Sequence, residues 1–391
     1  MVMHDFKFAR APEIHFGSGT IEKLPQIAAG MGKNALIVTG GESLKKSGRL
    51  DSIIDAFEKQ NIQASIIPVS GEPSPEIIDD AVAAFRHKNI EVVVGIGGGS
   101  AVDAGKAISA MLTQEDSIIN YLEGIGTKSH KGVKLPYIAV PTTAGTGSEA
   151  TKNAVISRTG ANGFKKSLRH NNFVPDVALV DPELAINCPA EVAAASGLDA
   201  ITQLLESYTS AEANPMTDAL AWSGLQHAFR SYPESLKNGK NINARSAMAY
   251  SSLLSGISLA NAGLGIVHGF ASVIGGYFNI PHGVVCGTLF AESIRQNIFA
   301  LQEIDPEAPP LKKYARAGYL ACGKKGEDIF EGWTMLLDKL GEWTKEFDIP
   351  TLSHYGIKES DADRIVSETT QKNNPVVLSE ENMKTILINR L

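Results

Sequence analysis

Short apolar runs alternate with segments of helical periodicity in the first half of the chain. The apolar runs are typical of buried strands and cover residues 35–39, 64–68, 91–96, 137–140 and 177–180. Between them apolar residues recur at helical spacing, as in residues 77–85. Continuous apolar strands separated by helices indicate a parallel sheet covered on both faces. We therefore expect an α/β domain over residues 1–183.

The pattern changes after Pro182. Strand-like runs disappear, and helical patterns cover residues 190–210, 217–231, 244–259, 326–347 and 359–371. The sequence thus predicts a second, all-α domain over residues 184–391. A chain of 391 residues is long enough for two domains, because single cores stop growing near ~250–300 residues.

Composition and charge narrow the class of protein. The 43% hydrophobic and 20% charged residues are typical of a globular protein, and a net charge of −7 gives no basic surplus for nucleic acid. The three cysteines, Cys188, Cys286 and Cys322, are far apart and form no CxxC pair. That spacing fits a reducing compartment, and the first seven residues show no signal-peptide core, so we expect a cytoplasmic protein.

One stretch, residues 246–291, contains no Asp, Glu, Lys or Arg. Glycines, asparagines, a proline and two histidines interrupt it, so no apolar span of about 20 residues survives. We expect a buried helical core that contains a functional site, and not a membrane segment.

A glycine-rich turn follows the third strand-like run and opens a helix. Gly98 and Gly99 would let the backbone approach a pyrophosphate, whose charge the free N–H groups at a helix start attract. Ser100 could also cap that helix. The alternative is a tight strand–helix turn without a ligand, since the spacing is neither GxGxxG nor a P-loop.

A second polar loop, residues 141–149, follows the fourth strand-like run. Thr142, Thr143 and Thr146 offer hydroxyls at the carboxyl end of a strand, where open α/β sheets bind ligands. A simple polar loop is the alternative. Two such loops on one sheet favour a ligand site.

Asp199, His268 and His282 form a candidate metal site. Asp199 lies on a predicted helix that presents Gln203 one turn later, and each histidine precedes a glycine within the uncharged stretch. A carboxylate with two imidazoles suits a catalytic divalent metal. Two unrelated core histidines are the alternative.

Together these motifs resemble the iron-containing (metal-dependent, group III) alcohol dehydrogenases. The matching segments are residues 15–19, 97–106, 141–149, 180–183, 197–200, 268 and 281–283, in the family's order. The resemblance implies the fold shared with dehydroquinate synthases, with a dinucleotide-binding domain, a helical metal and substrate domain, and a site in the cleft between them.

The resemblance also implies roles for individual residues. It assigns Gly98, Gly99 and Ser100 to the pyrophosphate, and places Thr142, Thr143 and Thr146 beside the cofactor. Lys165 matches a lysine near the nicotinamide ribose. Asp199, His268 and His282 match ligands of Fe²⁺ or Zn²⁺.

Two positions depart from the family pattern. Gln203 replaces a histidine ligand, and Ser272 replaces a second histidine found in typical members. A glutamine oxygen is a weaker and harder ligand than imidazole. The metal could therefore be held by Asp199, His268 and His282, with water or Gln203 completing its shell.

Cofactor choice depends on the end of the first strand-like run. NAD-restricted members often have Asp where Gly41 aligns, and Ser43 could bind the extra phosphate of NADP. Glu42 would favour NAD if its carboxylate faced the ribose. We expect both cofactors to bind, with a slight preference for NADP.

The resemblance implies hydride transfer between a nicotinamide cofactor and a small alcohol or aldehyde, with a metal polarising the substrate oxygen. Alternatives are a glycerol-dehydrogenase-like polyol dehydrogenase, a dehydroquinate-synthase-type enzyme and a non-catalytic nucleotide-binding member. The second would need cations around the metal, and the uncharged stretch argues against them. Residues 13–16 read as a strand of the kind that pairs between subunits, so we expect a homodimer or larger assembly.

Overall fold

The computed structural model describes residues 5–391. Residues 1–4 lie outside that range. They begin the predicted first domain, and they belong to the segment in which the sequence shows no signal-peptide pattern. The strands are β1 (Glu13–Phe16), β2 (Asn34–Gly40), β3 (Gln63–Val69), β4 (Val92–Gly97), β5 (Tyr137–Pro141), β6 (Asn153–Arg158), β7 (Phe164–Arg169) and β8 (Val177–Val180). Six of them form a parallel sheet in the order β1-β8-β5-β4-β2-β3.

Helices cover both faces of this sheet. They are α1 (Leu24–Ala29), α2 (Ser43–Lys46), α3 (Arg49–Lys59), α4 (Pro75–Phe85) and α5 (Gly99–Met111). Along β2 the side chains alternate between the faces: Leu36 packs in the core under α4 and α5, and Ile37 packs in the core with α1 and α3. The sequence prediction of a doubly covered parallel sheet is confirmed.

The strand order reverses direction between β2 and β4. The chain runs from β2 outward to β3, then returns to place β4 on the other side of β2. In open α/β sheets, ligands bind outside the carboxyl ends of the strands at such a switch point. The turn after β2 and the glycine-rich turn after β4 therefore flank the expected binding crevice.

A short antiparallel hairpin, β6 with β7, was not among the sequence predictions. Its two strands pair from Asn153 with Arg169 to Arg158 with Phe164. Neither strand shows a continuous apolar run, and both contain exposed and half-buried residues. The hairpin lies beside the sheet and carries Lys165.

The second half of the described chain is helical, as predicted. Its helices are α6 (Ala190–Thr209), α7 (Pro215–Lys237), α8 (Ile242–Ala262), α9 (Ile266–Tyr277), α10 (His282–Ile304), α11 (Pro309–Ala321), α12 (Ile329–Glu346), α13 (Ala362–Glu368) and α14 (Glu380–Ile388). They share one large apolar core that includes Leu198, Leu204, Phe270 and Leu289. The last strand of the sheet ends at Val180, and α6 begins at Ala190.

The uncharged stretch forms most of α8, all of α9 and the start of α10. Within residues 5–391 no single helix is long and apolar enough to cross a membrane. The pair α8 and α9 would pass that test only when taken together, and it is bent by 99° at its break.

Candidate active site in the interdomain cleft

A cleft of about 1490 Å³ lies between the carboxyl edge of the sheet, the hairpin and the helical half. Ten residues singled out from the sequence line it: Gly98, Gly99, Ser100, Thr143, Thr146, Lys165, Asp199, Gln203, His268 and His282. Gly41, Ser43 and Thr142 lie outside this lining. The structure thus brings together in one cleft the glycine-rich turn, the second polar loop and the candidate metal residues.

The glycine-rich turn is held in tight contact with its surroundings. A Cβ atom at Gly97 would lie 2.7 Å from Ala101 Cβ, and one at Gly99 would lie 2.5 Å from Thr146 Cγ2. Real Cβ atoms do not approach that closely, so these positions require glycine. The first two N–H groups of α5, those of Gly99 and Ser100, have no backbone hydrogen-bond partner among the described residues, and both residues line the cleft.

Ser100 does not cap α5. The N-cap is Gly98, and no side chain accepts a hydrogen bond there. The sequence expectation was wrong because α5 begins at Gly99, two residues earlier than a Ser100 cap requires, which places Ser100 inside the first turn. Its side chain is left free to line the cleft.

Buried charges fix the second polar loop to α5. The Lys106 ammonium donates to the backbone oxygens of Ser148 and Asn153 at 2.8 Å and to the Thr151 hydroxyl at 3.1 Å. The Asp103 carboxylate accepts from the Ser148 hydroxyl and from the backbone N–H of Val155. These bonds hold Thr143 and Thr146 at the cleft wall.

The turn after β2 lies at the edge of the same region. Gly41 has φ +39°, a left-handed conformation that favours glycine, and Ser43 opens α2. The Glu42 carboxylate is exposed and forms an ion pair with Lys46 at 2.9 Å. Thr142, by contrast, donates its N–H to the Gly97 oxygen at 2.8 Å and links the two loops.

Lys165 on β7 extends into the cleft near the metal residues. Its ammonium pairs with Glu72, whose other oxygen accepts from the Ser157 hydroxyl at 2.7 Å. Burial opposes ionisation of Glu72, but Lys165 outweighs it and lowers the pKa of that carboxyl. The pair positions a cation at the cleft wall.

Three helices place the candidate metal ligands. Asp199 lies on α6, His268 in the first turn of α9 and His282 at the start of α10. Asp199 Oδ1 is 3.2 Å from His268 Nε2 and 3.8 Å from His282 Nε2. A fourth residue, Cys286, joins them, and one donor atom from each of the four lies within 4.8 Å of every other.

Glu206 orients His268 from behind. The Nδ1 atom of His268 is 2.6 Å from Glu206 Oε2, and the other Glu206 oxygen accepts the Val267 N–H at 2.8 Å. Donation from Nδ1 to this carboxylate would leave the Nε2 lone pair free for a bound cation. Such carboxylate–histidine pairs are the usual support of a metal-binding imidazole.

Asn374 and Gly265 fix the start of α9. Asn374 accepts the Ile266 N–H at 3.2 Å, and its amide donates to Asn297 Oδ1 at 2.7 Å. A Cβ at Gly265 would lie 2.8 Å from Asn374 and 3.0 Å from Glu206, so only glycine allows this approach. Asn374 therefore helps to position the helix turn that carries His268.

The charged groups of the candidate metal site shift one another's pKa values. Burial would raise the pKa of Asp199, but the two histidines overcome it and hold that pKa at about 2. Burial and the nearby Lys165 lower the pKa of His282 to about 4. Burial opposes charging of His268 as well, yet Cys286, Glu206 and Asp199 raise its pKa well above the ordinary value.

These residues fit a bound divalent cation. Oxygen, nitrogen and sulfur donors converge on one point, and two buried carboxylates, Asp199 and Glu206, supply negative charge. The donor set is one that Zn²⁺ and related ions prefer. The protonated His268 supplies the positive charge that a cation would bring.

The two positions that depart from the family pattern have other partners. The Gln203 oxygen accepts a hydrogen bond from the Ser255 hydroxyl at 2.7 Å while the residue lines the cleft. Ser272 donates to the His268 backbone oxygen, and the exposed ammonium of Lys372 lies 3.4 Å from its hydroxyl. Cations therefore reach the cleft from outside the uncharged stretch, in Lys165 and Lys372.

Sequence reasoning missed Cys286 and Glu206. Both were recognisable by helical spacing: Cys286 follows His282 by four residues, and Glu206 follows Asp199 by seven, so each shares a helix face with a predicted ligand. Cys286 was not chosen because a lone buried cysteine usually acts as a small apolar residue.

A nucleotide-type turn and a carboxylate–imidazole cluster in one cleft are the features of a metal-assisted dinucleotide enzyme. The profile of the iron-containing alcohol dehydrogenases matches residues 11–182. That of the C-terminal domain of the Fe-containing alcohol dehydrogenase family matches residues 193–391. The chain belongs to the iron-containing alcohol dehydrogenase family.

Individual relatives agree with this assignment. The chain is 30% identical to long-chain-alcohol dehydrogenase 1 of Geobacillus thermodenitrificans, with 96% of this chain and 94% of that protein covered. It is 37% identical to 1,3-propanediol dehydrogenase of Klebsiella pneumoniae, with 85% and 87% covered. The crystal structure of an archaeal Red Sea brine pool alcohol dehydrogenase superimposes with a TM-score of 0.91 at 25% identity over all of both chains.

The family resemblance inferred from the sequence is therefore confirmed. The protein is an oxidoreductase of the alcohol dehydrogenase type, linked to NAD or NADP and to a divalent metal. The family to which it belongs acts on alcohols.

Proposed function

We propose that the chain oxidises small alcohols, or reduces the matching aldehydes, at the point where Asp199, His268 and His282 face the glycine-rich turn across the cleft. The observation that carries this proposal is the convergence of the three donor atoms, with Asp199 Oδ1 at 3.2 and 3.8 Å from the two imidazole nitrogens. The same cleft contains Gly98, Gly99 and Ser100.

In this proposal each residue of the cleft has its own role. When bound, a divalent cation supplies Lewis acidity toward the substrate oxygen, and a nicotinamide supplies the hydride acceptor. Asp199, His268 and His282 would hold the cation, and Glu206 keeps His268 in the tautomer that offers Nε2. The N–H groups that open α5 would bind the pyrophosphate, and Lys165 would lie beside the nicotinamide ribose.

For the remaining cofactor contacts we propose Thr143 and Thr146 in the cleft wall, with Thr142 holding the loop. Gly41 and Ser43 would border the adenosine ribose, because β2 and β4 flank the switch point. A slight preference for NADP is supported by the ion pair between Glu42 and Lys46, which offsets the carboxylate that would repel a phosphate. We propose that Gln203 stays near the cation without replacing an imidazole.

The experiment is metal analysis with cofactor reduction on the purified protein and on His268→Ala. The unmodified protein should contain about one divalent ion per chain and should reduce NAD⁺ or NADP⁺ with 1-propanol or 1,3-propanediol. His268→Ala should lose the metal and the activity together, because a small ligand set cannot spare one member.

The matched control is His227→Ala, since His227 is an exposed histidine of α7 outside the cleft. It should retain both metal and activity. Stoichiometric metal in His268→Ala would disprove the ligand assignment. Tight nucleotide binding without metal or turnover in the unmodified protein would instead identify a non-catalytic family member.

A further inference from the structure

We propose that the thiolate of Cys286 is the fourth protein ligand of the cation, and that the site therefore takes Zn²⁺ in preference to Fe²⁺. This inference rests on the proposed function, because it requires Asp199, His268 and His282 to hold a cation. It assigns to a cysteine the place that a fourth imidazole would otherwise fill.

The distances fit a tetrahedral ion. With zinc–nitrogen and zinc–oxygen bonds of about 2.0–2.1 Å and a zinc–sulfur bond of about 2.3 Å, a tetrahedron has sulfur–nitrogen edges of roughly 3.6 Å and nitrogen–oxygen edges of roughly 3.3 Å. Cys286 Sγ is 3.7 Å from the Nε2 atoms of both His268 and His282. The nitrogen–oxygen edges from Asp199 are 3.2 and 3.8 Å. Four of the six edges between the donor atoms are thus close to those of a zinc-sized tetrahedron, and the other two lie within 4.8 Å.

Helix geometry fixes the thiol in this position. Cys286 lies one turn after His282 on α10, so both side chains leave the same face of one rigid helix. Cys286 is fully buried and lies outside the cleft lining, whereas Asp199, His268 and His282 belong to it. The sulfur would therefore bind from the protein side, and a substrate oxygen would approach from the cleft side as a fifth ligand.

The chemistry of the donor set favours zinc. Thiolate is a soft ligand that selects zinc over harder ions, and Gln203, whose oxygen is engaged by Ser255, offers no imidazole to favour iron. One carboxylate and one thiolate neutralise a divalent charge in a buried site. The thiol proton leaves to solvent as the sulfur–metal bond forms.

The experiment replaces the native ion with Co²⁺ and records the absorption spectrum. A thiolate bound to Co²⁺ gives an intense sulfur-to-cobalt charge-transfer band in the near ultraviolet, separate from the visible d–d bands. We expect both sets of bands in the unmodified protein. Cys286→Ser should lose the charge-transfer band, and Cys188→Ser and Cys322→Ser, which change the other two cysteines, should keep it.

Two measurements extend the test. Zinc-edge X-ray absorption of the unmodified protein should show one sulfur neighbour at about 2.3 Å. Loss of a group that only orients a ligand typically costs about 10–100-fold in metal affinity, so Cys286→Ser should weaken zinc binding by about 100-fold or more. Iron binding should weaken less, and circular dichroism would show that the variant is folded.

The outcomes separate this inference from the proposed function. Visible d–d bands without a charge-transfer band, no sulfur in the zinc shell, or a band that survives in Cys286→Ser would each disprove the thiolate ligand and leave the metal centre intact. Failure of the unmodified protein to bind Co²⁺ at all would overturn the inference and the metal site together.

Discussion

Three charged side chains, Asp103, Lys106 and Glu149, are buried where α5 meets the loop after β5. Lys106 and Asp103 are 3.6 Å apart and satisfy most of their hydrogen-bonding groups through the loop. Glu149 has less compensation, and burial raises its pKa to about 7. A buried charge without a close partner is costly, so the carboxyl group holds its proton.

This raised pKa predicts a loss of stability with rising pH. In the unfolded chain Glu149 ionises near its ordinary pKa of 4.5, while in the folded chain it stays protonated until about pH 7. Between these values the folded state binds the extra proton, so stability falls as the pH rises and stays low above pH 7. The cost should be on the order of 3 kcal/mol.

Glu149→Gln keeps the shape and removes the ionisation. Urea unfolding of both proteins at pH 5 and pH 8 should show that the substitution raises the midpoint at pH 8 far more than at pH 5. Glu307→Gln, at a strongly exposed carboxylate, should follow the unmodified protein at both values. Parallel pH dependence in Glu149→Gln and the unmodified chain would contradict the prediction.

At the scale of single residues, the sequence identified the candidate metal ligands better than the residues that contact those ligands. Asp199, His268 and His282 could be chosen by chemical type, and the structure brings their donor atoms together. Cys286 and Glu206 could be found only by asking which residues share a helix face with them. Lys372 comes from more than 80 residues beyond the uncharged stretch, and no local pattern indicates that it reaches Ser272.

At the scale of elements, strand and helix patterns predicted the sheet because most of its strands contain a short, continuous apolar run. The hairpin β6–β7 was not predicted because its strands are half-buried and rich in charge, as in the segment from Phe164 to Arg169. The order of the strands in the sheet also cannot be predicted from hydrophobic periodicity. The switch between β2 and β4 depends on which crossovers the helices permit, and that is decided by tertiary packing.

The turn from β2 into α2 sets the prediction for cofactor choice. Because Glu42 is exposed and paired with Lys46, its carboxylate is partly neutralised. The values of kcat/KM for NAD and NADP should then differ by less than about a hundredfold, roughly 2.7 kcal/mol at 1.36 kcal/mol per tenfold. Steady-state kinetics with both cofactors at saturating alcohol would measure this ratio.

Two single substitutions test the role of this ion pair. Glu42→Gly should shift the ratio toward NADP, because it removes the one carboxylate of the turn. Lys46→Met should shift it toward NAD, because it frees that carboxylate. A large preference for NAD in the unmodified enzyme, erased by Glu42→Gly, would show that the carboxylate faces the ribose.

At the scale of the molecule, the two halves meet through close backbone contact. Gly147, with φ +60°, packs directly on Gly256 of α8, where a Cβ on either residue would collide with the other's backbone. The second polar loop therefore contacts the sheet domain through Lys106 and the helical half through Gly256. One loop thus links the expected cofactor wall to the metal wall.

Strand β1 supports the prediction of a homodimer. It pairs with β8 on one side only, and the other edge has no strand partner within residues 5–391. Glu13 and Gly17 donate their N–H groups to β8-side oxygens, so the alternate N–H groups of Ile14 and Phe16 point outward. Both side chains are 39% exposed, and an open apolar edge of this kind favours pairing with another chain.

Light scattering at micromolar concentration should give about twice the chain mass of 41.6 kDa, or a larger multiple. Ile14→Pro removes an outward N–H group while leaving the donors to β8 in place, and proline is tolerated on edge strands. It should lower the mass toward that of one chain, because the backbone bonds across the interface are lost. Ile14→Ala keeps the N–H group and should remain assembled. A single-chain mass for the unmodified protein, or an unchanged assembly in Ile14→Pro, would show that β1 does not join the subunits.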